Sequence, residues 1–164
     1  TFEVEPYCVK LFEQRWYMLG KSEGYDELRL YALDRIKALE PTERKFKLPK
    51  KFDAAKFFED YYGIIIGDED FDVEPVALKV DSWQSKYLRT LPLHHTQVEV
   101  ERNEEYSIFE YRLCPSFDFR KKILSMGATT EVLAPAELIA KVREEGIAEY
   151  TQPNEEYKFK VYKK

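Results

Sequence analysis

Residues 7–36 hold three short runs of alternating side chains, crowded so tightly that no helix of useful length fits among them. In 7–12, Tyr7, Val9 and Leu11 share one face of a strand, and Cys8, Lys10 and Phe12 share the other. Glu13-Gln14 is a short polar break. In 16–19, Trp16 and Met18 alternate with Tyr17 and Leu19. A polar loop, 21–27, turns around Gly24 and leads into a third run, 28–33. There Leu28, Leu30 and Ala32 look inward, while Arg29 and Tyr31 point the other way. Residues 36–39 are expected to continue as a fourth strand after a bend at Asp34-Arg35. Strands this short and this close predict a meander or a small barrel. Any recognition site is expected here, where Trp16, Tyr17, Arg29 and Arg35 share a small space.

Pro41 ends that region. Residues 44–51 read RKFKLPKK, five basic side chains in eight with no acid. Asp53 has the chemistry of a helix N-cap. Ala54, Phe57, Phe58 and Tyr61 follow at spacings of three and four, and Gly63 suits the end of that helix. Residues 64–66 read as a short buried strand or connector. Residues 68–74, DEDFDVE, carry five acids in seven. Their mutual repulsion predicts a solvated linker and hinge. Calcium fails on spacing, because a loop opened at Asp68 puts Val73 where glycine is required and Lys79 where the bidentate Glu belongs.

The second half alternates more regularly. A strand over 76–81 is followed by a helix capped by Ser82, with Trp83, Tyr87 and Leu91 on one side and Pro92 as its stop. Residues 97–102 and 106–113 make a hairpin around Asn103-Glu104-Glu105. Ser116 caps a helix bearing Phe119, Ile123 and Met126, which Gly127 ends. Residues 129–133 form a strand, and Pro135 opens a helix to about residue 150. The order β-α-β-β-α-β is the ferredoxin-like split pattern. The expected fold is therefore α+β: a barrel-like unit with its helix over 1–67, an acidic linker over 68–75, a ferredoxin-like unit over 76–150 and a tail over 151–164. In the tail, YKFKVYKK at 157–164 fits an added edge strand or a disordered basic end equally well.

Charge is uneven. Residues 1–60 carry 12 basic and 12 acidic side chains, so the remainder holds all of the net −5. Two distant cysteines, Cys8 and Cys114, suit a reducing cytoplasm and no zinc or redox pair. No apolar run is long enough to span a membrane, and no signal peptide is expected. The chain opens on Thr1 without a Met, so it is expected to be a piece of a longer protein or to have lost its start. HExxH, GxSxG, Walker A and GxGxxG are all missing, and no acid pair stands out, so binding is expected rather than catalysis. His94-His95, with no further His or Cys nearby, is not expected to hold a metal, and no cofactor is expected.

Pro6-Tyr7, Trp16-Tyr17-Met18 and the run Arg29-Leu30-Tyr31-Ala32-Leu33-Asp34-Arg35-Ile36 together resemble the WYL domain. Met18 stands where that family's triplet has Leu, and Tyr31 replaces Phe. Thr96-Gln97, Met126-Gly127 and 131–138 (EVLAPAEL) resemble the C-terminal extension that follows such domains. The resemblance implies an Sm- or SH3-like barrel in a bacterial transcriptional regulator that binds short nucleic acid or a nucleotide. It implies DNA contact only through a helix-turn-helix, which this chain lacks. The family's barrel usually has a strand before Pro6-Tyr7, which is also missing here.

Within that frame Arg29 and Arg35 offer planar donor forks to phosphate, a role the family motif supports. The plainer alternative pairs them with Asp34, Asp26 or Glu27. Tyr17 either stacks on a base or packs on its neighbouring strand. Trp16, alternating with Met18, reads more as core than as a ligand contact. Lys45 and Lys47 either track a phosphate backbone or lie in a solvated loop. The expected partners are a short single-stranded nucleic acid or nucleotide and a second copy of the chain. A standalone single-strand-binding protein and a ligand-free oligomerisation module are the alternatives.

Overall fold

The computed structural model describes residues 2–146. Its N-terminal part is an antiparallel sheet of β1 (Val4–Phe12), β2 (Arg15–Ser22) and β3 (Arg29–Ala32), in that order. Phe12 faces Arg15 across a two-residue turn in which Glu13 and Gln14 both take positive φ, 44° and 65°. That turn twists with its strands, which is why a hairpin accepts it despite the strain of two non-glycine residues in the left-handed region.

The three strands stay open among the described residues and do not close into the expected barrel. The expected fourth strand over 36–39 does not form either. A 3-10 turn, Leu33–Arg35, breaks the extended chain at the end of β3. The backbone then runs irregularly, with Leu39 81% exposed.

Aromatic side chains tie this irregular segment back to β1. Phe46 stacks on Tyr7 with centroids 6.4 Å apart, and Phe52 meets the same ring edge-on at 5.0 Å. Asp53 caps α1 (Ala54–Phe58) as expected, accepting from the Ala55 and Lys56 amides at 2.9 and 3.2 Å. The helix stops short of Tyr61 because other partners take its backbone. Tyr61 bridges to Cys114, and the Cys114 amide donates to the Asp60 carbonyl at 2.9 Å.

Residues 64–66 are not a strand. The Ile64 and Ile65 amides both donate to Asp118 Oδ2, at 2.8 and 2.9 Å. Nor is the acidic run solvated throughout. Asp68 is held by the buried Arg120 at 2.8 Å, and Phe71 lies in the core. One buried cation offsets the repulsion that sequence alone suggests, and the run is strapped down where a hinge was expected.

The second sheet has the order β5-β6-β4-β7, with all neighbours antiparallel. Its strands are β4 (Glu74–Asp81), β5 (Val98–Arg102), β6 (Tyr106–Leu113) and β7 (Thr130–Ala134). The helices are α2 (Ser82–Thr90), α3 (Phe117–Ser125) and α4 (Ala136–Gly146). Val76, Leu78 and Val80 of β4 are buried with Phe109, Tyr111, Leu113, Phe119, Ile123 and Leu138 in one core. The assembly is thus a mixed α+β fold.

The caps differ in detail. Asp81, one residue earlier than Ser82, caps α2 by accepting from the Gln84 amide at 2.6 Å. Ser116 stands at the N-cap of α3, but its buried hydroxyl makes no capping bond. Trp83 and Tyr87 do share one side of α2, and that side faces solvent; Leu91, also exposed, lies past the helix end as its C-cap. The end of the last helix near residue 150 and the 157–164 tail lie outside the described residues.

Two outcomes test this reading. A Cβ on Gly63 would collide with the Asp118 carboxylate, so Gly63→Ala should lower unfolding free energy by about 2–4 kcal/mol as the two amide bonds to Asp118 shift. In the hairpin, replacing Glu13-Gln14 by Asn-Gly relieves both positive-φ residues. It should raise unfolding free energy by about 1 kcal/mol in chemical denaturation.

Candidate anion-binding face

The register of the first sheet divides the predicted residues between its two faces. Tyr17 lies opposite Lys10 and Ala32, on the face turned toward α1. Lys10 there donates to the Gly63 carbonyl at 2.7 Å and lies 4.1 Å over the Phe58 ring, and Tyr17 is half-buried beside it. Trp16 lies opposite Leu11, and Met18 opposite Val9, on the outer face. Trp16 is 52% exposed, with Val9 and Leu11 exposed beside it, so it is not core. Alternation correctly pairs Trp16 with Met18. It errs on the sign of the face, because the half-buried side follows Lys10, Phe12 and Leu19.

Arg29 pairs with Gly20, two positions along the strand from Met18 and therefore on the outer face as well. Its guanidinium lies 3.7 Å over the Tyr25 ring. That contact holds the fork in place while leaving its donors free. Tyr25 is a contributor that strand periodicity misses, because it sits in the loop. Arg35 is exposed in the 3-10 turn at the other end of β3. From Trp16 to Gly20, opposite Arg29, β2 spans roughly 13 Å. The structure therefore places Trp16 and Arg29 on one face and Tyr17 on the other.

Ion pairing decides which cations are free. Arg15 pairs with Asp34 at 3.5 Å, and Arg44 reaches Glu3 and Glu5 at 3.4 and 3.2 Å. Among the described residues of the N-terminal part, Arg29, Arg35, Lys37, Lys45, Lys47, Lys50, Lys51 and Lys56 are exposed and make no ion pair. Phe46 and Phe52 anchor the basic run to Tyr7 from within, so the lysines between them project outward on a fixed backbone.

A cleft of about 830 Å³ lies apart from these residues, between α1 and the loop before β5. Phe58, Tyr61, Tyr62, Leu93, His94 and His95 contribute to its lining. The two histidines lie outside any strand, and their rings touch, with centroids 4.3 Å apart. His94 is buried, and its Nδ1 lies 2.8 Å from Thr96 Oγ1. Burial, reinforced by the charge on His95, pushes its pKa below the ordinary histidine value. No group of three or more metal-ligating side chains occurs among the described residues. Nor is any helix there long and apolar enough to cross a membrane. Burial also pushes the Cys114 thiol up to about 11, as expected of a cysteine that acts as a small hydrophobe.

Comparison with known proteins matches the WYL domain to residues 1–41 and the WCX domain to residues 72–147. A solved structure, the proteasome accessory factor B/C of Arthrobacter aurescens, is similar at 22% identity. The match covers 86% of this chain and 21% of that one, with a TM-score of 0.35. This chain thus spans about a fifth of that protein's length. No curated protein matches the chain.

His94 sets a pH dependence. A histidine whose pKa is depressed by folding stabilises fully above its unfolded value of about 6.5, and that stability is lost as pH falls through the folded value. The melting temperature should therefore drop on acidification from about pH 6.5 to pH 5. In His94→Gln, scanning calorimetry across the same interval should show a clearly flatter profile.

Proposed function

This chain belongs to the WYL family of regulator modules, and from that premise we propose that it is the ligand-sensing, dimerising part of a bacterial transcriptional regulator. The ligand is anionic, a short single-stranded nucleic acid, and it binds on the exposed side of the first sheet and the basic segment beside it. One observation carries this. In the N-terminal part Arg15 and Arg44 are paired, whereas Arg29, Arg35, the four lysines at 45, 47, 50 and 51, and Lys37 and Lys56 are exposed without an acidic partner among the described residues. Leaving cations unpaired beside acids that pair elsewhere suits phosphate, whose condensed counterions are released on binding.

Within the site Arg29, propped on Tyr25, and Arg35 grip phosphates, and Trp16 offers a stacking face worth about 1–3 kcal/mol per base. Tyr17 serves from behind, packing the sheet on α1. The module binds and does not catalyse. Its second unit is read as ferredoxin-like, a reading supported by the β-α-β-β-α-β element order and the β5-β6-β4-β7 sheet. Binding biases regulation only by favouring one arrangement of the module over another.

Fluorescence anisotropy with labelled single-stranded DNA and RNA across a salt series tests the proposal. The logarithm of affinity should fall with log salt at about −0.7 per phosphate contacted. Arg29→Ala with Arg35→Ala should lower affinity at least about tenfold and reduce that slope, with the melting temperature almost unchanged. Lack of binding at low salt would overturn the oligonucleotide assignment.

A further inference from the structure

Residues 64–71 lie between the two matched domains, 1–41 and 72–147, and form a strap across the second unit. Its two ends are anchored by uncharged groups of its own. The Ile64 and Ile65 amides donate to Asp118, and Phe71 is buried in the core. Between those ends the hold is ionic. Arg120 Nη1 donates to Asp68 Oδ2 at 2.8 Å, and Lys141 Nζ reaches Asp70 at 2.9 Å in a more exposed contact. The Asp70 amide donates to Asp68 Oδ1 at 3.0 Å, so one turn of chain presents both acids.

The same cations fasten the end of α4. Arg120 Nε donates to both carboxylate oxygens of Glu145, at 2.9 and 3.0 Å. Lys141 belongs to α4 itself, one turn before Glu145 on the same side of the helix. Leu138, the buried side chain of α4, lies in its first turn. Beyond it Val142 is half-buried, and Gly146 lies against Leu124, itself 36% exposed. The last turn therefore leans on charge more than on apolar packing.

We propose that the strap and the last turn of α4 form a single latch, closed through Arg120, that opens and closes as a unit. Arg120 is buried, and the Asp68 and Glu145 side chains are 11% and 21% exposed. Pairs so placed are screened far less than surface pairs, and removing either carboxylate leaves the cation undercompensated. Lifting the strap lets water reach the Arg120–Glu145 pair, which then weakens to an exposed one, and it takes Asp70 from Lys141. Loosening α4 exposes the Arg120–Asp68 pair in the same way. Such a coupling is reciprocal. An open strap is also opposed to partial closure, because its acids repel once the cations are gone. The connection between the matched domains thus has a held state and a released one, which is what a shift between arrangements requires, whatever ligand the first sheet takes.

Amide hydrogen exchange on the whole chain, read by NMR, tests the latch. Asp68→Asn should speed exchange of the 142–146 amides at least about fivefold, and Glu145→Gln should speed the Ile64 and Ile65 amides by a similar factor. The β6 amides should be unchanged in both variants. In the double variant the acceleration should fall well short of the product of the single effects, because either change alone already opens the shared contact. Acceleration confined to the substituted segment, or acceleration spread equally into β6, overturns the latch. Multiplying single effects overturn it as well. Neither measurement involves nucleic acid, so failure here and failure of the ligand assignment are separate results.

Discussion

Two charged side chains at the start of α3 pin the segment at 64–68 that follows the first sheet's contacts onto the second unit. Asp118 accepts the Ile64 and Ile65 amides, and Arg120 binds Asp68, Glu145 and the Pro115 carbonyl, each at 2.8–2.9 Å. Both are buried, where an unpaired charge would be expensive, and each is satisfied from more than one direction. Their geometry also dictates Gly63, since any side chain there would occupy the space of the Asp118 carboxylate. Aromatic contacts run alongside: Phe12 on Tyr62 at 5.6 Å, Tyr62 on Phe119 at 5.9 Å, and Phe119 on Tyr111 at 5.7 Å. The first sheet is thereby bonded and packed to the core of the second.

That attachment uses one face of the first sheet only. Lys10, Phe12 and Tyr17 belong to the face turned inward, and Trp16, Val9 and Leu11 are left outside with Arg29. The residues free for recognition are therefore those the attachment does not need. The same division explains why Tyr17 and Trp16, neighbours in sequence, take opposite roles.

Local chemistry was readable from the residues alone where it depends on near neighbours. Asp53 as a cap, the Asn103 turn, whose side chain accepts from the Glu105 and Tyr106 amides, and the order of elements from 76 onward all follow from short-range rules. What was not readable depends on distant partners. The acidic run at 68–74 looks solvated until Arg120, some fifty residues later, is placed beside Asp68. The helix at 54–61 looks longer until Cys114 takes its last backbone groups. The unpaired state of Arg29 could not be foreseen either, because Asp34 was available to it and went to Arg15, while Tyr25 lay outside any strand pattern. The stripe on α2 was visible as a stripe, but only packing shows that Leu88 took the inner side.

The first sheet also has a mechanical character. β1 is fixed along its length, by Tyr7 to Phe46 and Phe52, by Lys10 to Gly63, and by Phe12 to Tyr62. β3 is only four residues long and pairs with β2 alone. The sheet is a cantilever, clamped at one strand and free at the other, and the arginine-bearing strand is its tip. Any bending moment applied at the tip is delivered at the root, through β1 into α3.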